Sequence, residues 1–305
     1  MSGIIAFLWI CLAVFLACAK VTLQGRVSRR YFRNAQDPIL FNALMFATIA
    51  LFLFLFFPSI RPSGHLIFSA LAVSCFTFLF QTTYASAMRE GPVSLTVLIA
   101  NFSLFIPICV SMVLYGERLY LTQLIAIVLL VISMLLSVKS DPQNKKPITK
   151  KWILLALAAM LSTGVAAAMQ KVFGKTQMTV EGADTTFLML IYLFAAVWAL
   201  ACYAVRWKLF KKPLTASYKI RPRLVIGILA IAAILTVYQK CFMIAMAEID
   251  STLFFPTQNG MQSLLMTLIG VIFFRDKLSA RQFVGVACGI ACVVLMNLSL
   301  GPVLI

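Results

Sequence analysis

Long apolar stretches separated by short polar intervals run the length of this chain. Residues 3–23, 38–58, 64–87, 92–114, 120–138, 152–174, 184–205, 223–247, 250–274 and 279–298 each hold a nearly uncharged run. A hydrocarbon core about 30 Å thick needs about 20 residues of helix to cross it, and each of these runs is near that length. None shows the strict two-residue alternation of a barrel strand. A lone segment in lipid can satisfy its backbone polar groups only internally, so each run is predicted to be a helix. The fold class that follows is an all-α membrane protein with ten transmembrane segments.

The stretches fall into two sets of five that resemble each other. Gln81-x-x-Tyr84-x-x-Ala87-Met88-x-Glu90 returns 158 residues later as Gln239-x-x-Phe242-x-x-Ala245-Met246-x-Glu248. At a spacing of 159, Tyr115-Gly116-Glu117-Arg118-Leu119 with Gln123 lines up on Phe274-Arg275-Asp276-Lys277-Leu278 with Gln282. More faintly, Lys20-Val21 lines up on Lys171-Val172. An odd number of crossings per copy sends the second copy through the membrane upside down. Inverted repeats of this kind build many secondary transporters, with substrate held near mid-membrane between the halves. The expected division is residues 1–138 as the first repeat, 139–151 as a cytoplasmic linker and 152–305 as the second repeat. The linker is marked by Asp141-Pro142-Gln143-Asn144 among lysines.

Composition agrees with lipid as the solvent. The chain is 62% hydrophobic and 11% charged, with a mean hydropathy of +1.00. Its net charge of +17 is unevenly placed. Arg26, Arg29, Arg30 and Arg33 follow the first segment. Lys139, Lys145, Lys146, Lys150 and Lys151 fill the interval after the fifth, and Arg206 to Arg223 that after the seventh. The even-numbered intervals hold only Arg61, Arg118, Lys171 and Lys175. By the positive-inside rule the odd intervals are cytoplasmic and both termini lie outside. Anionic headgroups account for this charge, and a nucleic-acid partner is not expected. No Lys or Arg precedes the first apolar run, so it reads as a retained helix rather than a cleaved signal. Phe210, Leu214 and Tyr218 in the basic interval after segment 7 suit either a plain loop or a short surface helix.

Few residues offer chemistry. The eight cysteines lie within apolar stretches without C-x-x-C spacing, and the single histidine, His65, has no partner ligand nearby. Gly174-Lys175-Thr176 lacks the first glycine of a nucleotide-binding loop. No metal, cofactor or enzymatic activity is therefore expected. All nine acids sit at or near segment ends, which argues against a proton-coupled exporter of cations built on a mid-membrane carboxylate. Lys240, about 6 Å from the midplane of segment 8, is the deepest cation. Lys20 and Lys171 suit either a cavity or snorkelling to the interface. Gln81, Tyr84, Asn101, Tyr238, Gln239, Gln258 and Asn259 are polar near mid-depth in corresponding segments, with Thr257 beside them. Pro256 frees a backbone carbonyl there. These groups suit either a substrate cavity or interhelical hydrogen bonds. Gly285 and Gly289 form a small-residue face for internal packing or a homodimer.

The ten-segment inverted repeat resembles the drug/metabolite transporter superfamily, in its EamA branch. The residues that carry the resemblance are Tyr115-Gly116-Glu117-Arg118-Leu119 and Phe274-Arg275-Asp276-Lys277-Leu278, the latter ahead of Gly285 and Gly289. Ala126 departs from the glycine that segment 5 of the family can show. The resemblance implies a carrier for small organic solutes, coupled to a proton or an exchanged solute. It also implies a cavity lined by segments 1, 3, 4, 6, 8 and 9, with 5 and 10 buttressing. The expected function is secondary active transport of a small anionic or zwitterionic metabolite, an amino acid foremost, across a bacterial-type inner membrane. Lys240 would meet the carboxylate or phosphate of the substrate. The alternatives are an exporter of drugs or organic cations and, more distantly, a lipid scramblase or membrane-embedded enzyme.

Overall fold

The computed structural model describes residues 3–31, 37–57, 61–137, 148–177, 182–210, 222–274 and 279–297. Eleven helices and one 3₁₀ turn account for these residues, with no strand among them. The helices are α1 (Gly3–Tyr31), α2 (Asp37–Phe56), α3 (Gly64–Glu90), α4 (Val93–Asn101), α5 (Phe105–Tyr115), α6 (Leu121–Ser137) and α7 (Lys150–Gln177). They continue as α8 (Ala183–Phe210), α9 (Pro222–Glu248), α10 (Ser251–Phe274) and α11 (Ala280–Asn297). Helices α4 and α5, joined by a 3₁₀ turn over Phe102–Leu104, make up the fourth segment, so α6 to α11 are the fifth to tenth.

Among the described residues, seven segments are long and apolar enough to cross a membrane outright: those of α1, α2, α3, α4–α5, α7, α8 and α9. Helices α6 and α11 are apolar but shorter. In α10 the row Thr257, Gln258, Asn259 and Gln262 dilutes the apolar run. Phe68, Val113, Leu154, Ile272 and Phe283 face outward at 67% exposure or more, as residues solvated by acyl chains would. Phe41, Met45, Phe46 and Ile49 of α2 and Phe187 and Leu188 of α8 fill the interior.

Helix pairing carries the signature of the repeat. Helix α1 packs on α9, and its repeat mate α7 packs on α3, the mate of α9. The second and seventh segments, α2 and α8, pack on each other, as do the fifth and tenth, α6 and α11. Exchanging the two halves maps each of these pairings onto itself or onto another observed one. The molecule is thus two inverted five-helix repeats.

Some ends differ from the sequence reading. Helix α1 continues to Tyr31 and α8 to Phe210, so Arg26, Arg29, Arg30, Arg206 and Lys208 stand on helices rather than in loops. Hydropathy reports apolar length, and a helix can run on past the hydrocarbon. Helix α7 starts at Lys150, inside the expected linker, whose residues 139–147 lie outside the described ones. So do Leu214 and Tyr218 of the suggested surface helix. The break in the fourth segment has a local cause. Pro107 has no N–H for the Ser103 carbonyl, and the chain tightens to i+3 bonding over the preceding turn. Helix α7 crosses that turn at Gly164, where a Cβ would collide with Ile106 and lie 2.9 Å from the Ser103 carbonyl oxygen.

Candidate substrate site

The polar residues of α8, α9 and α10 form a connected wall. Gln239 of α9 donates through Nε2 to the hydroxyl of Tyr192 in α8. Gln258 of α10 donates to the hydroxyl of Tyr238 in α9 at 3.3 Å. Cys18 of α1 reaches the Gln262 carbonyl, 3.8 Å away. Aromatic rings surround these bonds. Tyr192 packs against Phe46 at 5.8 Å between centroids, and Phe242 lies edge-on to Phe254 and Phe255.

Lys240 is not a bare cation. Its ammonium pairs with the Asp184 carboxylate and donates to Thr185 Oγ1 at 2.7 Å, both from the first turn of α8. It also stands 5.0 Å from the centroid of the Phe57 ring. The Lys240 and Asp184 side chains keep only 16% and 17% exposure. Asp184 is a segment-end acid by sequence, but Arg61 packs over this end of α8, its N–H donating to Thr186 Oγ1 at 3.0 Å. The fold therefore holds the Lys240 ammonium at the first turn of α8, nearer the segment ends than its place in segment 8 suggests, and Lys171 is the more buried cation.

The remaining candidates divide. Asn259 bonds back to the Phe255 carbonyl of its own helix at 2.8 Å. Thr257 Oγ1 is buried without a hydrogen-bond partner among the described residues. It lies next to Pro256, whose missing N–H leaves the Thr252 carbonyl without its i+4 donor. Tyr84 stacks on Phe80 of its own helix. Gln81, Asn101 and Lys20 are half-buried, and no described hydrogen bond joins them to the α8–α10 wall. Tyr192, Asp184, Thr185 and Cys18 are the members that sequence reasoning missed. Tyr192 had a signal, as a hydroxyl-bearing ring midway along an apolar segment.

A second polar cluster sits at the end of the bundle made by the even-numbered intervals. Lys171 is 1% exposed and does not snorkel. Its ammonium donates to the carbonyls of Met246, at 2.6 Å, and Ile249. These are acceptors that the C-terminus of α9 leaves open, where the helix dipole favours a cation. Glu117, also buried, lies 4.0 Å from Lys171 and 2.8 Å from Lys175. Its other oxygen accepts the Ser251 N–H at the start of α10, at 2.7 Å. Ser251 and Ser111 share a hydroxyl hydrogen bond of 2.7 Å. Gly116, just before Glu117, caps α5 at φ 63°, a left-handed conformation that costs glycine nothing. This gives the Tyr-Gly-Glu-Arg-Leu motif a structural content. It turns the chain so that Glu117 binds the first half of the protein to the second.

Two further features complete the map. A cleft of about 450 Å³ opens between α3, α5 and α7, with His65, Ser69, Val110, Met169 and Thr176 among its lining; none of the expected substrate residues borders it. Gly289 of α11 is occupied inside the chain, where a Cβ would lie 2.9 Å from Ser133 Oγ of α6 and 3.0 Å from Leu264 of α10. Gly285 is buried as well. Both glycines are thus packed within the chain. No group of three or more metal-ligating side chains occurs among the described residues.

An all-helical inverted repeat enclosing a polar wall defines a multi-pass integral membrane transporter. The chain belongs to the EamA-like transporter family, which it matches over residues 5–139 and 150–298, one stretch in each repeat. A solved crystal structure, described only as that of a protein, superposes with a TM-score of 0.76 over 96% of both chains; at 16% identity this speaks to the fold. A shorter likeness is to multidrug resistance protein EbrA of Bacillus licheniformis, 39% identical over 51 residues. That match takes in 17% of this chain and 49% of EbrA, so the chain spans about half the length of this curated relative.

Proposed function

We propose that this transporter carries a small zwitterionic or anionic metabolite, with amino acids and related solutes foremost, by alternating access between its two repeats. The observation that carries the reading is the Lys240–Asp184 pair beside the Gln239–Tyr192 bond. A bare ion entering this wall would free one member of the pair and leave the other largely buried without a partner, at a cost of about 1–2 kcal/mol. A zwitterion offers a carboxylate to Lys240 and an ammonium to Asp184 together, so the pair opens without a net loss of charge partners. A purely anionic substrate would instead use Lys20, which is half-buried on α1. In this reading the basic odd-numbered intervals face the cytoplasm, both termini face outward, and a proton or exchanged solute drives the cycle.

Export of organic cations is the second reading. The EbrA likeness favours it, as does the low exposure of the Asp184 carboxylate, which a cation could meet in place of Lys240.

The test is a thermal-stability screen of the purified protein against zwitterionic, anionic and cationic solutes, with Lys240→Ala and Asp184→Asn alongside. A ligand that binds only the native state raises the melting temperature by mass action. Stabilisation of wild type by a zwitterion, lost in both variants, supports the first reading. Stabilisation by lipophilic cations that survives in Lys240→Ala and fails in Asp184→Asn selects the second.

A further inference from the structure

The two repeats match in sequence and in their main pairings, yet not everywhere: α10 packs on α11 where α4 and α5 make no comparable contact with α6 among the described residues, and a further difference lies between the first and third segments of each repeat. Helix α7 packs against α9, but α1 and α3, the corresponding pair in the first repeat, make no comparable contact among the described residues. At this further difference one side chain stands out in each half. Lys171 is sealed in, with its ammonium on the Met246 and Ile249 carbonyls at the end of α9. Its counterpart Lys20 is half-buried, and no hydrogen bond or ion pair is described for it. By the 158-residue spacing, the counterparts of Met246 and Ile249 are Met88 and Gly91, at the end of α3.

We infer that Lys171 and Lys20 are alternating latches, each fastening one end of the transport path in one of two states. In the state seen here the end formed by the even-numbered intervals is fastened. Lys171 holds α9, and Glu117 ties Lys175 and the start of α10 to the other half. In the opposite state α1 closes on α3, and the Lys20 ammonium takes the Met88 and Gly91 carbonyls. An inverted repeat supplies this exchange directly, because the two halves swap conformations when the molecule changes the side to which it opens. The driving contacts are of one kind at both ends: a charged donor on carbonyls that a helix C-terminus leaves open. Only one latch is engaged at a time, so the loss of either shifts the balance toward the state the other holds. The inference rests on the alternating-access reading and is independent of the substrate.

Paired spin labels read this balance in the full chain, reconstituted in lipid with its native cysteines replaced. One pair, at Thr176 and Glu248, reports the distance between α7 and α9, and another, at Arg26 and Ser86, that between α1 and α3. Lys171→Met is expected to lengthen the first distance and shorten the second. Lys20→Met is expected to do the reverse, each shifting the ratio of populations roughly tenfold, as loss of a charged hydrogen bond does. Lys171→Arg, which keeps the donor, restores the wild-type distribution and shows that Lys171→Met acts through the bond rather than through misfolding. The latch is overturned if both Met variants shift the distances in the same direction, or if neither does while wild type still shows reciprocal populations. A wild type with one fixed distance at each end overturns alternating access itself, and the latch with it.

Discussion

Replacing Asp184 by Asn tests whether the Lys240 pair is a coupled unit or two independent side chains. The substitution keeps the shape and one acceptor but leaves the ammonium without its counter-charge. Breaking a fully buried pair costs about 3–5 kcal/mol, whereas an exposed pair is worth at most about 1. At 16% and 17% exposure the pair lies nearer the buried limit. Lys240 retains Thr185 Oγ1 at 2.7 Å and the Phe57 ring, the ring being worth about 1 kcal/mol. The expected cost of Asp184→Asn is therefore about 2 kcal/mol. Lys240→Met strands a carboxylate in the first turn of α8, where the helix dipole offsets part of the loss, so about 1 kcal/mol is expected. With both charges removed nothing is stranded, and the double variant should recover about 1–2 kcal/mol relative to the sum of the singles. Unfolding free energies of the four proteins, measured by SDS titration in mixed micelles, complete the cycle. Additivity to within about 0.5 kcal/mol would refute the coupling, and with it the argument that a bare ion is penalised at this site.

Gly164→Ala should destabilise the protein by about 1–3 kcal/mol in the same titration, because its Cβ meets Ile106 and the Ser103 carbonyl, and backbone cannot yield as a side-chain tip does. Gly116→Ala places a Cβ in open space but in a left-handed cap, so a cost of about 1 kcal/mol is expected, from conformation alone. Gly289→Leu should lower stability while leaving the particle mass seen by light scattering unchanged; a fall in mass without loss of stability would return this face to a dimer. Glu117→Gln should weaken the Lys175 bond while keeping a carbonyl acceptor for the Ser251 N–H. Modification of an engineered cysteine at Tyr115 by an impermeant maleimide should then rise several-fold, as loss of a charge-assisted bond allows.

The segments and their repeat were legible because lipid imposes length and apolarity on every crossing, and because the halves retain aligned residues such as Gln81 and Gln239. The polar wall was legible in part. Gln239, Tyr238 and Gln258 stood out as amides and a phenol in apolar surroundings, and the fold joins them through bonds to Tyr192 and one another. The Lys240–Asp184 pair was not legible, since its members lie 56 residues apart and depth was judged from each segment's own ends. How far Arg61 covers the start of α8 is a property of the assembled bundle. Lys171 stood out, but its bonds did not: its partners include backbone carbonyls of another helix, which carry no sequence signal. The 3₁₀ turn did leave a mark, in Pro107, although Pro256 was the proline singled out.

The polar character of α10 has a consequence for how the chain is made. A nascent segment is committed to the bilayer largely by its own apolarity, and Thr257, Gln258, Asn259 and Gln262 weaken that commitment here. Helix α10 is expected to partition poorly when presented to the translocon alone and to insert once α9 precedes it, its amides meeting groups such as the Tyr238 hydroxyl as it enters. Glycosylation mapping of α10 with and without α9 checks this. Equal insertion in both would show that the segment needs no companion.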